Sequence, residues 1–70
     1  MNNSLDLKLL GSTIKKHRIL NKLSQEELGF RCDIHRTTIG LIENGMMDPK
    51  YTTLKKLIKA LNIPHSEIFK

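Results

Sequence analysis

Four residues within one short stretch, Arg36, Thr37, Gly40 and Leu41, are of types suited to contacting the edges of base pairs. An arginine can donate to both acceptors of guanine, a threonine can donate a hydrogen bond or touch a thymine methyl group, and a leucine offers that methyl group an apolar contact. A glycine lets the backbone lie close to a base or a phosphate. These types at this spacing predict a surface that reads double-stranded DNA. The alternative is that Leu41 is one scattered surface hydrophobe, as found on any protein.

These residues can share a surface only if a helix carries them. At 100° per residue, Ile39 and Ile42 define the buried side of a helix over about residues 36–44. The positions that point away from it are Thr37, Gly40, Leu41 and Asn44, with Arg36 on the flank near the N-terminal end.

The charge of the chain indicates a polyanionic partner. The net charge is +5 over 70 residues and the pI is about 9.7, which would attract nucleic acid or an acidic membrane surface. Aromatic residues are few, namely Phe30, Tyr51 and Phe69, which argues against a stacking platform for single strands. The lysines are spread over several predicted helices and do not form one cationic face, which argues against a membrane-active helix. A duplex is therefore the favoured partner.

Other chemistries find little support in the sequence. Cys32 and His35 form a C-x-x-H pair, but structural zinc usually needs four ligands and no second pair is spaced to complete the set. No nucleophile, base and orienting acid form a unit, and no glycine-rich phosphate loop follows a strand, so we expect no enzyme, cofactor or small-molecule ligand. The single cysteine allows no internal disulfide, and neither a membrane span nor a secretory signal is evident, so we expect a cytoplasmic protein.

The periodicity of apolar residues predicts a single compact all-α domain of five helices over residues 1–70. The first runs from Leu5 to Asn21, and the second follows Ser24, which forms a capping box with Glu27, and extends to about Arg31. The third occupies residues 36–44 and stops at Asn44-Gly45. The fourth follows the loop MMDPK and is marked by Leu54, Leu57, Ile58 and Leu61. The segment PHSEIFK, beginning at Pro64, predicts a short fifth helix whose Ile68 and Phe69 close the core.

Gly29 supports a specific relationship between the second and third helices. A glycine inside a helix costs roughly 1 kcal/mol relative to alanine, so its presence needs a reason. Two short helices that cross steeply leave almost no room for a side chain at the point of contact. Gly29 is therefore predicted to be a contact glycine in a helix-turn-helix.

The stretch LSQEELGFRCDIHRTTIGLIENG resembles the core motif of the lambda-repressor and Cro type of helix-turn-helix regulator, a family also called XRE-like. The resemblance extends from about Leu10 to Phe69. It rests on the spacing of the cap, Gln25, Leu28, Gly29, Ile34, Ile39, Ile42 and the closing ENG. It implies a transcription regulator, a repressor or an autoregulator, that binds a palindromic operator as a homodimer.

The resemblance also implies roles for individual residues. The base-reading residues would be Arg36, Thr37, Gly40 and Leu41. The phosphate contacts would be Ser24, Gln25, His35, Asn44 with nearby backbone amides, and Lys50, and Gln25 would also brace Arg36. Arg18 and Glu43 would form a structural ion pair. Apart from the resemblance, we expect the dimer contact at the end of the fourth helix and in the tail, around Ile63, Ile68 and Phe69.

Several residues depart from the family pattern. Asp33 replaces the usual turn glycine, His35 stands where a serine or threonine cap is usual, and His17 and Lys22 replace a common leucine and a common glycine. We expect His17 to be a partly buried packing residue. An antitoxin or another protein-binding module could use the same fold, and the sequence does not identify the operator or the type of regulator.

Overall fold

The computed structural model describes residues 4–68, which form four α-helices and one short 3₁₀-helix. The helices are α1 (Ser4–Leu20), α2 (Gln25–Cys32), α3 (Arg36–Glu43) and α4 (Tyr51–Leu61), followed by the 3₁₀-helix His65–Glu67. The all-helical fold class is confirmed.

The expected count of five helices is corrected to four. After Pro64 the bonds run from Glu67 N–H to the Pro64 carbonyl and from Ile68 N–H to the His65 carbonyl, which is the i→i+3 pattern of a 3₁₀ turn. So short a segment forms too few bonds to offset the nucleation of an α-helix. Phe69 lies outside the described residues.

Side chains cap the two central helices at their N-terminal ends. The Ser24 hydroxyl accepts from the Glu27 N–H at 2.9 Å, and the Glu27 carboxylate accepts from the Ser24 N–H at 2.8 Å, so the predicted capping box is present. The Ser24 backbone N–H, and then its hydroxyl, hold the pKa of Glu27 below its ordinary value. At α3 the cap is His35, whose Nδ1 accepts from the Thr37 N–H at 3.1 Å.

Left-handed residues end three of the helices in the same way. Lys22, Gly45 and Asn62 have φ values of 58°, 71° and 56°. At each one, two backbone N–H groups bond back to the preceding helix in the paired pattern of a Schellman motif. The next residue then turns toward the molecule at two of these ends, where Leu23 and Ile63 are buried.

The core lies where α3 packs on α1 and α2, and where α4 covers α1 and α2 from another side. Its buried apolar members are Ile14, Leu23, Leu28, Cys32, Ile39, Ile42, Leu54, Leu57, Leu61 and Ile63. Two glycines allow the close approaches. A Cβ on Gly11 would collide with the carbonyl oxygens of Ile42 and Glu43, and a Cβ on Gly29 would collide with that of Ile34. Gly11 thus lets α1 lie directly against the end of α3, and Gly29 lets α2 lie directly against the turn that precedes α3.

A carboxylate ties the C-terminal turn to α1. Glu67 Oε1 contacts His17 Nε2 at 2.9 Å and Lys16 Nζ at 3.2 Å. These two hydrogen bonds, with His17 the stronger cause, lower the pKa of Glu67. The His17 side chain is 12% exposed, in keeping with the expected packing role, and it also serves as a polar anchor for the turn.

Candidate nucleic-acid interface

The outward face of α3 carries the residues expected to read bases. Arg36 and Thr37 are exposed and the Leu41 residue is 37% exposed, whereas Ile39 and Ile42 on the opposite side are buried. Polar and apolar side chains therefore project together from one side of α3, while the other side of the helix is buried in the core.

The side chain of Gln25 lies over the middle of that face. Its Oε1 and Nε2 are 3.6 and 3.7 Å from the position that a Cβ on Gly40 would occupy. Nε2 donates to Glu43 Oε1 at 3.1 Å. The resemblance implied that Gln25 braces Arg36 in the first turn of α3, but the hydrogen bond goes instead to the last turn. Gly40 is consequently half-covered by Gln25, with ordinary contact distance left for a methyl group.

Arg18 and Glu43 form a bidentate ion pair beneath this face. Arg18 Nε donates to Oε2 at 2.7 Å, and its second terminal nitrogen donates to Oε1 at 3.1 Å. The remaining terminal nitrogen donates to the Leu23 carbonyl at 2.8 Å. The side chains of Arg18 and Glu43 are 11% and 1% exposed. Removing one partner of such a pair leaves a buried charge, which typically costs about 3–5 kcal/mol.

Ser24 and His35 keep donors for a ligand after they have capped their helices. The Ser24 oxygen accepts from the Glu27 N–H, and its single hydroxyl hydrogen can be donated either to the Glu27 carboxylate or to a ligand. His35 Nδ1 accepts from Thr37, so in the neutral ring Nε2 carries the hydrogen. Both side chains are exposed at the start of a helix. Their positions suit hydrogen bonds to phosphate oxygens.

The region after α3 offers fewer donors than expected. The backbone N–H groups of Asn44, Gly45 and Met46 all bond to carbonyls of α3. The expectation that amides near Asn44 bind a phosphate is therefore corrected, because these amides are already used to end the helix. The exposed side chain of Asn44 remains. Lys50 is exposed immediately before α4.

The expected dimer contact requires a correction. Ile63 is 5% exposed and belongs to the core, so its side chain is not available to a second chain. The cause is the left-handed Asn62, which turns the backbone so that Ile63 N–H bonds to the Ile58 carbonyl. Ile68 packs partly against the core, and Phe69 lies outside the described residues.

Gly11 positions α3 and was missed in the sequence. It places α1 directly against the backbone at Ile42 and Glu43, which fixes the end of α3. The available signal was a glycine in the interior of an otherwise regular helical pattern, which needs a packing reason just as Gly29 does.

The pair Cys32 and His35 serves packing and capping. The Cys32 thiol is buried, its sulfur donates to the Lys56 carbonyl at 3.7 Å, and burial raises its pKa. Within residues 4–68, no group of three or more His, Cys, Asp or Glu side chains is placed to hold a metal ion. In that same range, no helix combines the length and apolarity needed to cross a membrane.

Comparison with known proteins identifies the family. A family model described as helix-turn-helix matches residues 14–68. Control protein C.BamHI of Bacillus amyloliquefaciens is 35% identical over 97% of this chain and 84% of its own length. Control protein C.SmaI of Serratia marcescens is 39% identical over 83% of this chain and 70% of its own length. The crystal structure of the restriction-modification controller protein C.AhdI from Aeromonas hydrophila superposes with a TM-score of 0.85, at 32% identity, and covers 93% of this chain and 98% of that one. The chain belongs to the helix-turn-helix family, in the lambda-repressor and Cro type that its sequence resembles.

Proposed function

We propose that this protein is a sequence-specific double-stranded DNA-binding transcription regulator that controls a restriction-modification gene cluster. The similarity to three control proteins supports this type of regulator over a phage repressor or a general autoregulator. The observation that carries the DNA-binding role is the exposed face of α3, with Arg36, Thr37 and Leu41 outward and two isoleucines buried behind it. The net charge of +5 favours association with a polyanion.

In the proposed complex, α3 lies in the major groove. Arg36 donates to guanine, Thr37 contacts the next base, and Leu41 contacts a thymine methyl group, while Gly40 keeps the helix close to the DNA. Ser24, Gln25 and His35 donate to phosphates on one side, and Asn44 and Lys50 donate to phosphates on the other. The phosphate contacts fix the register and the α3 contacts supply the sequence preference.

The active form is proposed to be a symmetric dimer. One short helix reads only a few base pairs, so a useful operator needs two half-sites roughly one helical turn apart. Because Ile63 is occupied in the core, the dimer surface must be formed by other residues.

Selection of bound duplexes from a random pool, at a stated salt concentration, tests this proposal. We expect an enriched palindrome, and mass measurement of the complex should give two protein chains per duplex. Recovery of random duplexes without enrichment would exclude sequence-specific regulation. A specific complex that contains one chain would exclude the dimer while leaving the DNA-binding role intact.

A further inference from the structure

The amide of Gln25 is anchored to the buried ion pair and is not an independent surface group. Nε2 donates to Glu43 Oε1, and the same carboxylate is held by two nitrogens of Arg18. Oε1 of Glu43 thus receives one hydrogen bond from Arg18 and one from Gln25, each at 3.1 Å. Three side chains from α1, α2 and α3 form one connected network.

The chemistry of this network fixes which way the amide faces. A carboxylate can only accept hydrogen bonds, so the nitrogen of Gln25 and not its oxygen must face Glu43. The amide also lies beside Gly40, 3.6 Å or more from the position that a Cβ on that residue would occupy. One N–H hydrogen is used, and the second hydrogen on Nε2 and the oxygen remain for a ligand.

An anchored amide has a consequence for binding. A glutamine on an open surface must lose rotamer freedom when it contacts a ligand, and this ordering lowers affinity. Here the ion pair has already ordered the side chain before any ligand arrives. The Arg18–Glu43 pair should therefore affect the contact between Gln25 and its ligand, although neither Arg18 nor Glu43 touches that ligand.

Resting on the proposed function, we infer that Arg18 and Glu43 are positioning residues for DNA binding, which act by holding the Gln25 amide in one orientation on the DNA face. Their role goes beyond joining α1 to α3. Arg18 aligns both carboxylate oxygens, Glu43 orients the amide, and Gln25 alone of the three contacts DNA.

A double-mutant cycle on DNA affinity tests the inference. Gln25→Ala is measured in the parent and in a Glu43→Gln background, with each affinity corrected for the folded fraction. We expect Gln25→Ala to lower DNA affinity by a factor that is about threefold to tenfold larger in the parent than in the Glu43→Gln background. This range corresponds to the free-energy cost of ordering one long side chain. Because Gln25→Ala is compared within each background, the charge and stability changes of Glu43→Gln cancel. Equal losses in the two backgrounds would overturn the inference.

Arg36→Ala is the matched control for the cycle. It removes another proposed DNA contact from the same face, but the hydrogen bonds of Glu43 go to Arg18 and Gln25. Its loss of affinity should therefore be the same in both backgrounds. If the affinity loss caused by Arg36→Ala changed between the two backgrounds as much as the loss caused by Gln25→Ala, Glu43→Gln would have altered α3 as a whole. That result would also overturn the inference.

A measurement on the free parent protein covers the case in which Glu43→Gln does not fold. Gln25 is the only glutamine in the chain, so its side-chain amide signals can be assigned. We expect a nuclear Overhauser contact between one Nε2 proton and the γ protons of Glu43, and slower solvent exchange than for the exposed Asn44 amide. Absence of that contact overturns the inference even if DNA binding is normal. Failure of the parent to bind any duplex would instead overturn the proposed function.

Discussion

The carbonyl oxygen of Ile34 stands against Gly29 at the point where a side chain would attach. The same turn is held by a hydrogen bond of 2.8 Å from the Ile34 N–H to the Gly29 carbonyl. Gly29 is therefore in contact with the turn between α2 and α3 and not with a side chain of α3. A backbone atom cannot move aside as the end of a flexible side chain can, so the geometry of the helix-turn-helix depends on this residue.

Gly29→Ala should destabilise the protein although alanine favours a helix. The added methyl group collides with backbone, and overpacking of this kind costs about 1–3 kcal/mol, which exceeds the gain of roughly 1 kcal/mol in helix propensity. The measurement is the free energy of unfolding from denaturant titration. Gly40→Ala is the control, because its methyl group has ordinary contact distance to Gln25 and should stabilise the protein by up to about 1 kcal/mol. Equal effects of the two substitutions would contradict the assigned contacts.

Lys22→Gly should stabilise the protein. Lys22 has a φ of 58° at the end of α1, a left-handed conformation that glycine adopts without steric cost. We expect a gain of up to about 1 kcal/mol, seen as a rise in Tm of roughly 4–8 °C for a domain of this size. Lys22→Ala is the control, since it removes the same charge but keeps the Cβ, and it should give no such rise. A similar rise in both variants would attribute the effect to charge.

Glu67→Gln should change how stability depends on pH. The folded pKa of Glu67 is lowered by its hydrogen bonds to His17 and Lys16, so the ionised form is favoured in the folded state. This stabilisation is fully present above the ordinary pKa of a glutamate, about 4.3, and is lost as the pH falls through the lowered folded value. The parent should therefore have the higher Tm near neutral pH, and the difference should shrink on acidification.

Melting curves from neutral pH to below pH 4 check this result. Glu26→Gln removes an exposed carboxylate from α2 without touching the contact between the C-terminal turn and α1, and serves as the control for the loss of one charge. A Tm difference between parent and Glu67→Gln that stays constant over the whole range would show that ionisation of Glu67 does not stabilise the turn.

The local features of the fold could be predicted because nearby residues determine them. Ser24 and Glu27 are three residues apart, and Asn44-Gly45 ends its own helix, so the sequence was sufficient for the capping box and for the stop of α3. The Arg18–Glu43 pair came only from the family resemblance. Spacing alone could not supply it, because the two residues are 25 positions apart.

The sequence does not predict the contacts between residues that are far apart along the chain. Gly11 meets the backbone of α3, and the Gln25 amide bonds to Glu43, and both relationships depend on how closely the helices approach. Ile63 was assigned to the dimer surface because it follows a predicted helix. Its burial depends on the left-handed conformation of Asn62, a backbone choice that hydrophobic periodicity does not indicate.

Arg36→Ala should reduce discrimination between base pairs while leaving the fold intact. Arg36 is exposed at the start of α3, so its removal opens no cavity, and a bidentate contact to guanine is worth about 1–3 kcal/mol at one base pair of each half-site. The measurement is affinity for the operator and for single-base variants of it. Lys50→Ala is the control, because loss of a phosphate contact should weaken all sequences alike and reduce the salt dependence. An equal loss for operator and random duplexes would identify Arg36 as a phosphate contact.

Gly40→Gln should leave folding nearly unchanged but weaken operator binding by tenfold or more, a loss of about 1.4 kcal/mol. The first carbon of the new side chain fits, since the Gln25 amide is 3.6 Å or more away. The atoms beyond it must either displace that amide or extend outward, where the proposed complex places the DNA. Helix propensity favours glutamine over glycine, so the free protein should not lose stability. Melting curves and binding isotherms, compared with those of Gly40→Ala, check both expectations. If Gly40→Gln unfolds the protein, or binds the operator as tightly as the parent, α3 does not present this face to DNA.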